Sequence, residues 1–408
     1  MNIMSQPRTS ILLIGLLSAF SLLTFDLYQP SLPYITSFFG TTHSLSQLTL
    51  SIYLFVFGVT QLVWGPLIDH FGRRRLLPGS LVLAVLASLI CAFAPNIFVL
   101  ILGRALQGFA LCCANLIAFS TSRDFDDTVE RAKVLSYVSM IVSISPILAP
   151  VLGSLIFTYY GWQANFILMA VIGIILWLQS RKGLFESPFW TRPSEPFIVK
   201  KVIRAYQEII PSPTLWSGSF IMMFSFAAVM LSVINSSYII IEQFGFSPLV
   251  YGIIFIINGL NIIVGNYLGI WLRKYFSMAA TIYLGSWFII SGGFAMLVCA
   301  VFYEFNLYAL SFALICNLGI SLTAPATMSI MLADYKENTG LALAIIHTVR
   351  MFGSSVLTIL SAYLLMQTLN ALPLGLIACG IGALYSSWHF NRITAESNDS
   401  ELGEAEAA

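Results

Sequence analysis

The chain has 408 residues, 58% of them hydrophobic and only 9% charged, with 19 Lys plus Arg against 18 Asp plus Glu. Soluble domains carry about 25% charged residues, so this deficit, with a mean hydropathy of +0.88, excludes a soluble globular protein and equally a disordered, collagenous or disulfide-stapled one. A formal net charge of +1 gives no pull toward nucleic acid, and the six cysteines (Cys91, Cys112, Cys113, Cys299, Cys316 and Cys379) all lie inside apolar runs, as small buried hydrophobes do.

A helix that crosses hydrocarbon needs about 20 mostly apolar residues, because the bilayer offers no partner to a free backbone N–H or C=O. Twelve runs qualify: 11–30, 45–66, 76–94, 97–119, 132–157, 162–180, 214–241, 248–272, 278–302, 306–332, 340–366 and 370–390. The expected fold class is an all-α integral membrane protein with twelve transmembrane helices in two six-helix halves. The first run carries Asp26 and continues into QPSLP without a small-residue cleavage site, so it is expected to be retained rather than removed as a signal sequence. Basic residues stay on the cytoplasmic side during insertion. With the N-terminus inside, 17 of the 19 Lys and Arg fall in cytoplasmic segments and none in external loops, while Arg104 and Arg350 lie within spans. Both termini are therefore expected in the cytoplasm.

The longest connection, 181–213, separates an N-terminal half, 1–180, from a C-terminal half, 214–392. Its stretch FIVKKVIRAYQEII sets Val199, Val202, Ile203, Tyr206 and Ile209 at helical spacing, with Lys200, Lys201, Arg204 and Glu208 elsewhere around the wheel, the pattern of a helix lying on a membrane surface. The tail 393–408 is acidic, lacks aromatic residues and is expected to be disordered. A weak repeat relates the halves: Gly65 precedes Asp69 by four residues at the end of span 2, and Gly269 precedes Arg273 by four at the end of span 8, an offset of 204. Two related halves around a central site near the midplane describe a common transporter plan.

Polar groups inside hydrocarbon are costly and turn toward the bundle interior. The cores of spans 3, 9 and 12 contain no Asn, Gln or charge and are expected to face lipid. Asp26 lies in span 1, Arg104 and Asn115 in span 4, Asn235 in span 7, Asn258, Asn261 and Asn266 in span 8, Asn317 in span 10, and His347 with Arg350 in span 11, so these spans are the candidates for lining a path. Asp26 is the one carboxylate clearly within a span. It is 15 residues past Ile11 and so about 22 Å from the inner edge, while Arg104, seven residues past Ile97, is about 10 Å from the outer edge. In a core of about 30 Å these depths nearly coincide, so the two can form a pair, either a static structural one or a working one. His347 and Arg350, three apart, share a helix face. His347 is expected to be ordinary packing; Arg350 either pairs with backbone carbonyls or holds an anionic group. In span 5, Pro146, Pro150 and Gly153 lie on one face, and each proline frees a carbonyl one turn earlier, which predicts a bend with close helix packing.

At these residues the chain resembles the major facilitator superfamily, and within it the drug:proton antiporters of the bicyclomycin and chloramphenicol resistance (Bcr/CflA) type. TFDLYQPSLPYI at 24–35 looks like the end of that family's first helix, GPLIDHFGRRR at 65–75 matches its loop 2 to 3 signature, LGRALQGFA at 102–110 its helix 4 signature, and SPILAPVLG at 145–153 is similar to its helix 5 antiporter signature. The resemblance implies alternating access, with Asp26 carrying the coupling proton beside Arg104. It also implies a cytoplasmic latch made by Gly65, Asp69, Gly72, Arg73 and Arg74 near Asp124. The polar groups within the spans, together with Tyr28, give the expected substrate cavity: Tyr28, Asn115, Asn235, Asn258, Asn261, Asn317, His347 and Arg350. One departure is Ser18, eight residues before Asp26, where some multidrug members carry a second carboxylate; it weighs against two-proton coupling.

The expected function is a proton-coupled efflux antiporter for drugs or small metabolites in a bacterial inner membrane. The alternative is a transporter of carboxylated metabolites such as siderophores, with Arg350 and Arg104 as anchors. A channel and a membrane enzyme are the weaker rivals: His43, His70, His347 and His389 form no HExxH pair, and no GxSxG elbow is present. No Gly-Lys pair exists, hence no GxxxxGK[ST] phosphate loop, and the energy must come from a gradient. No cofactor or metal is expected; the partners are a small-molecule substrate, protons and the bilayer, and the chain is expected to be monomeric.

Overall fold

The computed structural model describes residues 10–121, 124, 128–187, 190, 191, 193, 194, 196–333, 339–365 and 370–407. Arg8, Arg123, Arg192 and Lys336, which contribute to the basic asymmetry, lie outside the described residues. The described chain is helical: α1 (Ile11–Asp26), α2 (Leu32–Phe38), α3 (His43–Phe71), α4 (Arg73–Ala92), α5 (Ile97–Thr121), α6 (Thr128–Tyr160), α7 (Trp162–Gly183), α8 (Val199–Ile209), α9 (Pro213–Ser237), α10 (Pro248–Leu272), α11 (Met278–Tyr303), α12 (Leu307–Ser311), α13 (Ala313–Ala333), α14 (Thr339–Leu365) and α15 (Ala371–Ala407). Among the described residues, eleven helices are long and apolar enough to cross a membrane, and a shorter apolar stretch, Ile144–Tyr160, forms the end of α6. These match the twelve expected spans in order.

The ends of the helices follow from local chemistry. Pro30 opens a short 3-10 turn, Gln29–Ser31, because its ring presets φ and needs no donor; the first span thus continues past its expected end through α2 to Phe38. Thr42 caps α3 by accepting from the Leu45 N–H at 3.3 Å, and Ser277 caps α11 from Ala280 N–H at 3.1 Å. Gly72 stands at φ +81° between α3 and α4, where a side chain would be strained. The expected amphipathic helix is α8, with Val199, Ile203 and the lysines exposed. The tail differs from expectation: α15 runs on as helix through Ala407 instead of ending near residue 392, consistent with the high helix propensity of Ala, Glu and Leu in ELGEAEA.

The chain divides into two compact units, Met1–Ile198 with Ile234–Leu260, and Val199–Val233 with Asn261–Ala408. This division departs from the two six-span halves, because the end of α9 and the first half of α10 pack with the N-terminal helices. In the first unit α3 packs on α5, α4 on α5 and α7, and α1 on α5 and α6. Gly153 makes the α1–α6 approach possible: a Cβ there would lie 1.6 Å from the Leu27 carbonyl oxygen. In the second unit α11 packs on α13 and α15. The α11–α13 contact is a close crossing in which a Cβ on Gly285 would meet the Gly319 oxygen at 2.7 Å, and one on Gly319 the Gly285 oxygen at 2.6 Å. Of the spans expected to face lipid, α4 exposes Val82 and Leu86, α11 Trp287 and Phe294, and α15 Ile381 and Trp388; α7 does likewise through Ile167, Val171 and Leu178.

Candidate functional site

Asp26 ends α1 and is 8% exposed. The turn that Pro30 imposes folds Gln29 back, so that its Nε2 donates to Asp26 Oδ1 at 2.7 Å. Arg104 is fully buried and points elsewhere. Its Nε donates to the Thr49 carbonyl at 3.2 Å, and its Nη1 to the Thr24 carbonyl at 3.1 Å and to Gln107 Oε1 at 2.6 Å. Its guanidinium lies over the rings of Tyr28 and Tyr53, at 4.6 and 4.5 Å from their centroids. The expected ion pair is therefore not formed: no salt bridge joins Asp26 and Arg104 among the described residues. The reason is that its Nε and Nη1 are taken up by helix carbonyls and a carboxamide, and its plane by two aromatic faces, which bind α5 to α1 and α3. Depth along the helices put the two groups at one level, and they lie there without an ion pair between them. Arg104 Nη2 has no hydrogen-bond partner.

Tyr28 is held by its hydroxyl against Thr49 Oγ1 at 2.7 Å, and Asn115 donates to Ser21 Oγ at 3.3 Å. Asn235 accepts from Gln47 Nε2 at 2.8 Å. Asn258 is partly buried, within the same unit. On the proline-rich face of α6, Ser154 donates to the Pro150 carbonyl at 2.6 Å and Asn165 to the Gly153 carbonyl at 3.4 Å, while a Cβ on Gly252 of α10 would lie 3.1 Å from the Pro150 oxygen. Pro146 lies in the same helix, one turn before Pro150.

The loop between α3 and α4 forms a second cluster. Arg73 is 4% exposed and makes an ion pair with Asp124; its Nη1 also donates to Thr121 Oγ1 at 2.9 Å and its Nε to the Phe185 carbonyl at 2.6 Å. Glu186, which the sequence reading passed over, accepts from the Arg73 N–H at 3.1 Å and the Arg74 N–H at 2.7 Å. It thereby satisfies two free donors at the start of α4. Asp69 offers its carbonyl to Trp190 Nε1 at 2.7 Å. Gly65 has open space where a Cβ would stand, so nothing in its surroundings requires glycine. The one available signal for Glu186 was its being an acid just after the basic end of α7.

The second unit holds the remaining candidates. Asn261 donates to the Leu314 carbonyl at 2.8 Å, and Asn317 is 2% exposed. Arg350 lies over the Phe226 ring at 5.1 Å, and its Nε and the Nδ1 of His347 are buried without a hydrogen-bond partner. No group of three His, Cys, Asp or Glu suited to a metal occurs among the described residues.

Polar side chains buried within helices long and apolar enough to cross a membrane, eleven of them among the described residues, fit a carrier-type membrane protein. The Major Facilitator Superfamily family model matches residues 14–358, and the chain belongs to that superfamily; it is a transporter and not an enzyme. Among its relatives, the multidrug resistance protein MdtL of Escherichia coli is 30% identical over 365 residues, covering 88% of this chain and 90% of the relative. The same protein of Shigella flexneri is 29% identical over 360 residues, with the same coverage. The uncharacterized MFS-type transporter YdgK of Bacillus subtilis is 28% identical over 348 residues, 81% of this chain and 83% of that one. The crystal structure of a D-xylose-proton symporter shares the fold with a TM-score of 0.74 at 13% identity, covering 93% of this chain and 96% of that one.

Proposed function

We propose that this transporter is a proton-coupled exporter of small molecules, in which Asp26 carries the coupling proton. The observation that carries this reading is the setting of Asp26: an acid deep in the first span, met by a neutral carboxamide while the neighbouring arginine is committed to carbonyls. Such an acid can change charge without breaking an ion pair, which is what a proton carrier needs. The relatives named multidrug resistance proteins support drug efflux, and none of the relatives cited supports the siderophore alternative. The reading includes alternating access, antiport, a bacterial inner membrane location with both termini cytoplasmic, and a monomer. The cluster of Arg73, Asp124 and Glu186 acts as the fixed part of the cytoplasmic latch.

The unpartnered nitrogens of Arg350 and His347 favour neutral or carboxylated substrates over permanent cations, since an anion gains a charge-assisted hydrogen bond there and a cation meets repulsion. The test is efflux from energised cells: Asp26→Asn is expected to abolish it while leaving expression and substrate binding in place. Full efflux by that variant would remove Asp26 from the mechanism.

A further inference from the structure

Gln29 and Tyr251 form a row with Asp26 that no role described above uses. Gln29 Nε2 donates to Asp26 Oδ1 at 2.7 Å, the Tyr251 hydroxyl donates to Gln29 Oε1 at 3.0 Å, and the Ser236 hydroxyl stands 3.3 Å from the Tyr251 oxygen. Gln29 and Tyr251 are fully buried, and Ser236 is 6% exposed. Ser236 and Tyr251 lie on the two arms of the α9–α10 hairpin, Ser236 at the end of α9 just before the π-helical turn Tyr238–Gln243 and Tyr251 in the first turn of α10.

A carboxylate only accepts hydrogen bonds, whereas a carboxamide has one donating and one accepting end. With Asp26 ionised, a single orientation of Gln29 satisfies the row: its NH2 faces the carboxylate and its oxygen must take a proton from Tyr251. That is the orientation present. A protonated Asp26 has an O–H to donate. With the amide turned over to accept it, the NH2 faces the Tyr251 oxygen and the tyrosine donates onward to Ser236, an arrangement closed to the ionised acid, which has nothing to donate. One proton on Asp26 thus opens a reversal of each donor and acceptor as far as the hairpin. Residues 234–260 continue at both ends into helices whose remainder belongs to the second unit.

We propose that Gln29 is a positioning residue that reports the protonation state of Asp26 to the α9–α10 hairpin through Tyr251. The proposal rests on the reading of Asp26 as the proton carrier. The other ionisable groups that act on Asp26 are Arg104 of α5 and Tyr53 of α3; Arg104 is bound to carbonyls, and the Tyr53 hydroxyl donates to the Ser21 carbonyl at 2.8 Å. On the hairpin itself, Glu242 pairs with His43 at 3.4 Å, and His43 stacks on Tyr238, a second source of pH dependence that must be removed from any test.

The experiment uses full-length protein in lipid nanodiscs, its six native cysteines replaced by alanine, carrying His43→Gln and Ile239→Cys, the latter at a hairpin position 4% exposed. The maleimide labelling rate is followed against pH, relative to the same thiol in unfolded protein, and infrared spectroscopy follows the Asp26 carboxyl band in parallel. With the row intact, labelling is expected to change about fivefold as Asp26 takes its proton, the equivalent of one hydrogen bond of about 1 kcal/mol. Asp26→Asn, whose amide supplies a donor, should hold the acid-side rate at every pH. Tyr251→Phe, which keeps the ring, and Gln29→Met should each flatten the response while the carboxyl band still titrates. If Gln29→Met misfolds, Tyr251→Phe alone decides. A preserved pH response in Tyr251→Phe overturns the relay and leaves the Asp26 reading standing. A carboxyl band that never changes protonation overturns that reading instead.

Discussion

Two arginines of the spans, one in each unit, are held to different degrees, Arg104 fully buried and Arg350 partly. Arg104 spends its donors on Thr24, Thr49 and Gln107 and lies between two tyrosine rings, so it joins three helices. Arg350 has one phenylalanine face and a buried Nε with no partner, beside a histidine nitrogen in the same condition. Each leaves one buried nitrogen without a hydrogen-bond partner, Nη2 of Arg104 and Nε of Arg350, so the two differ in how much holds the rest of the guanidinium: three acceptors and two rings against one ring among the described residues. The difference teaches that an intramembrane charge is read from its partners and not from its depth.

The comparison breaks first at Arg104. Arg104→Ala leaves two carbonyls, a carboxamide and two ring faces without their cation, and is expected to cost about 3 kcal/mol or more. Thermal unfolding in detergent should show it as a large fall in Tm or as failure to fold. Arg104→Lys should rescue little, since an ammonium cannot reproduce the fork. Arg350→Ala is expected to leave the Tm nearly unchanged and to weaken binding of a carboxylated substrate about tenfold to a hundredfold, the worth of a charge-assisted hydrogen bond. Equal losses of stability in the two variants would erase the distinction. Glu186→Gln gives the smallest effect: loss of the carboxylate at the start of α4 should cost about 0.5–2 kcal/mol, measured as a modest drop in Tm with Asp26-dependent transport retained.

Hydropathy alone placed the spans, because every helix in hydrocarbon must be apolar over a fixed length, and the amphipathic period alone marked α8. Asp26 stood out as a lone acid for the same reason. What joins it was harder to read. Gln29, three residues on, shares its face only because Pro30 makes a 3-10 turn there, and the i, i+3 spacing was a signal that went unused. Tyr251 is 222 residues from its partner, and no local pattern announces a contact at that separation. The siding of Ile234–Leu260 with the first unit has the same cause: helix neighbours are set by side-chain fit, as at Gly252 and Gly259, which meet Val151 and Ile147, and not by order along the chain. Glu186 was hidden in a connection that reads as ordinary linker.

The central claim is that Asp26 exchanges a proton when substrate binds. The direct measurement is proton release by purified protein in weakly buffered detergent solution with a pH indicator, on addition of a transported compound. Wild-type protein should release up to one proton per substrate bound and Asp26→Asn none, while Arg350→Ala should release protons at higher substrate concentration. Release by Asp26→Asn equal to that of wild type would contradict the account.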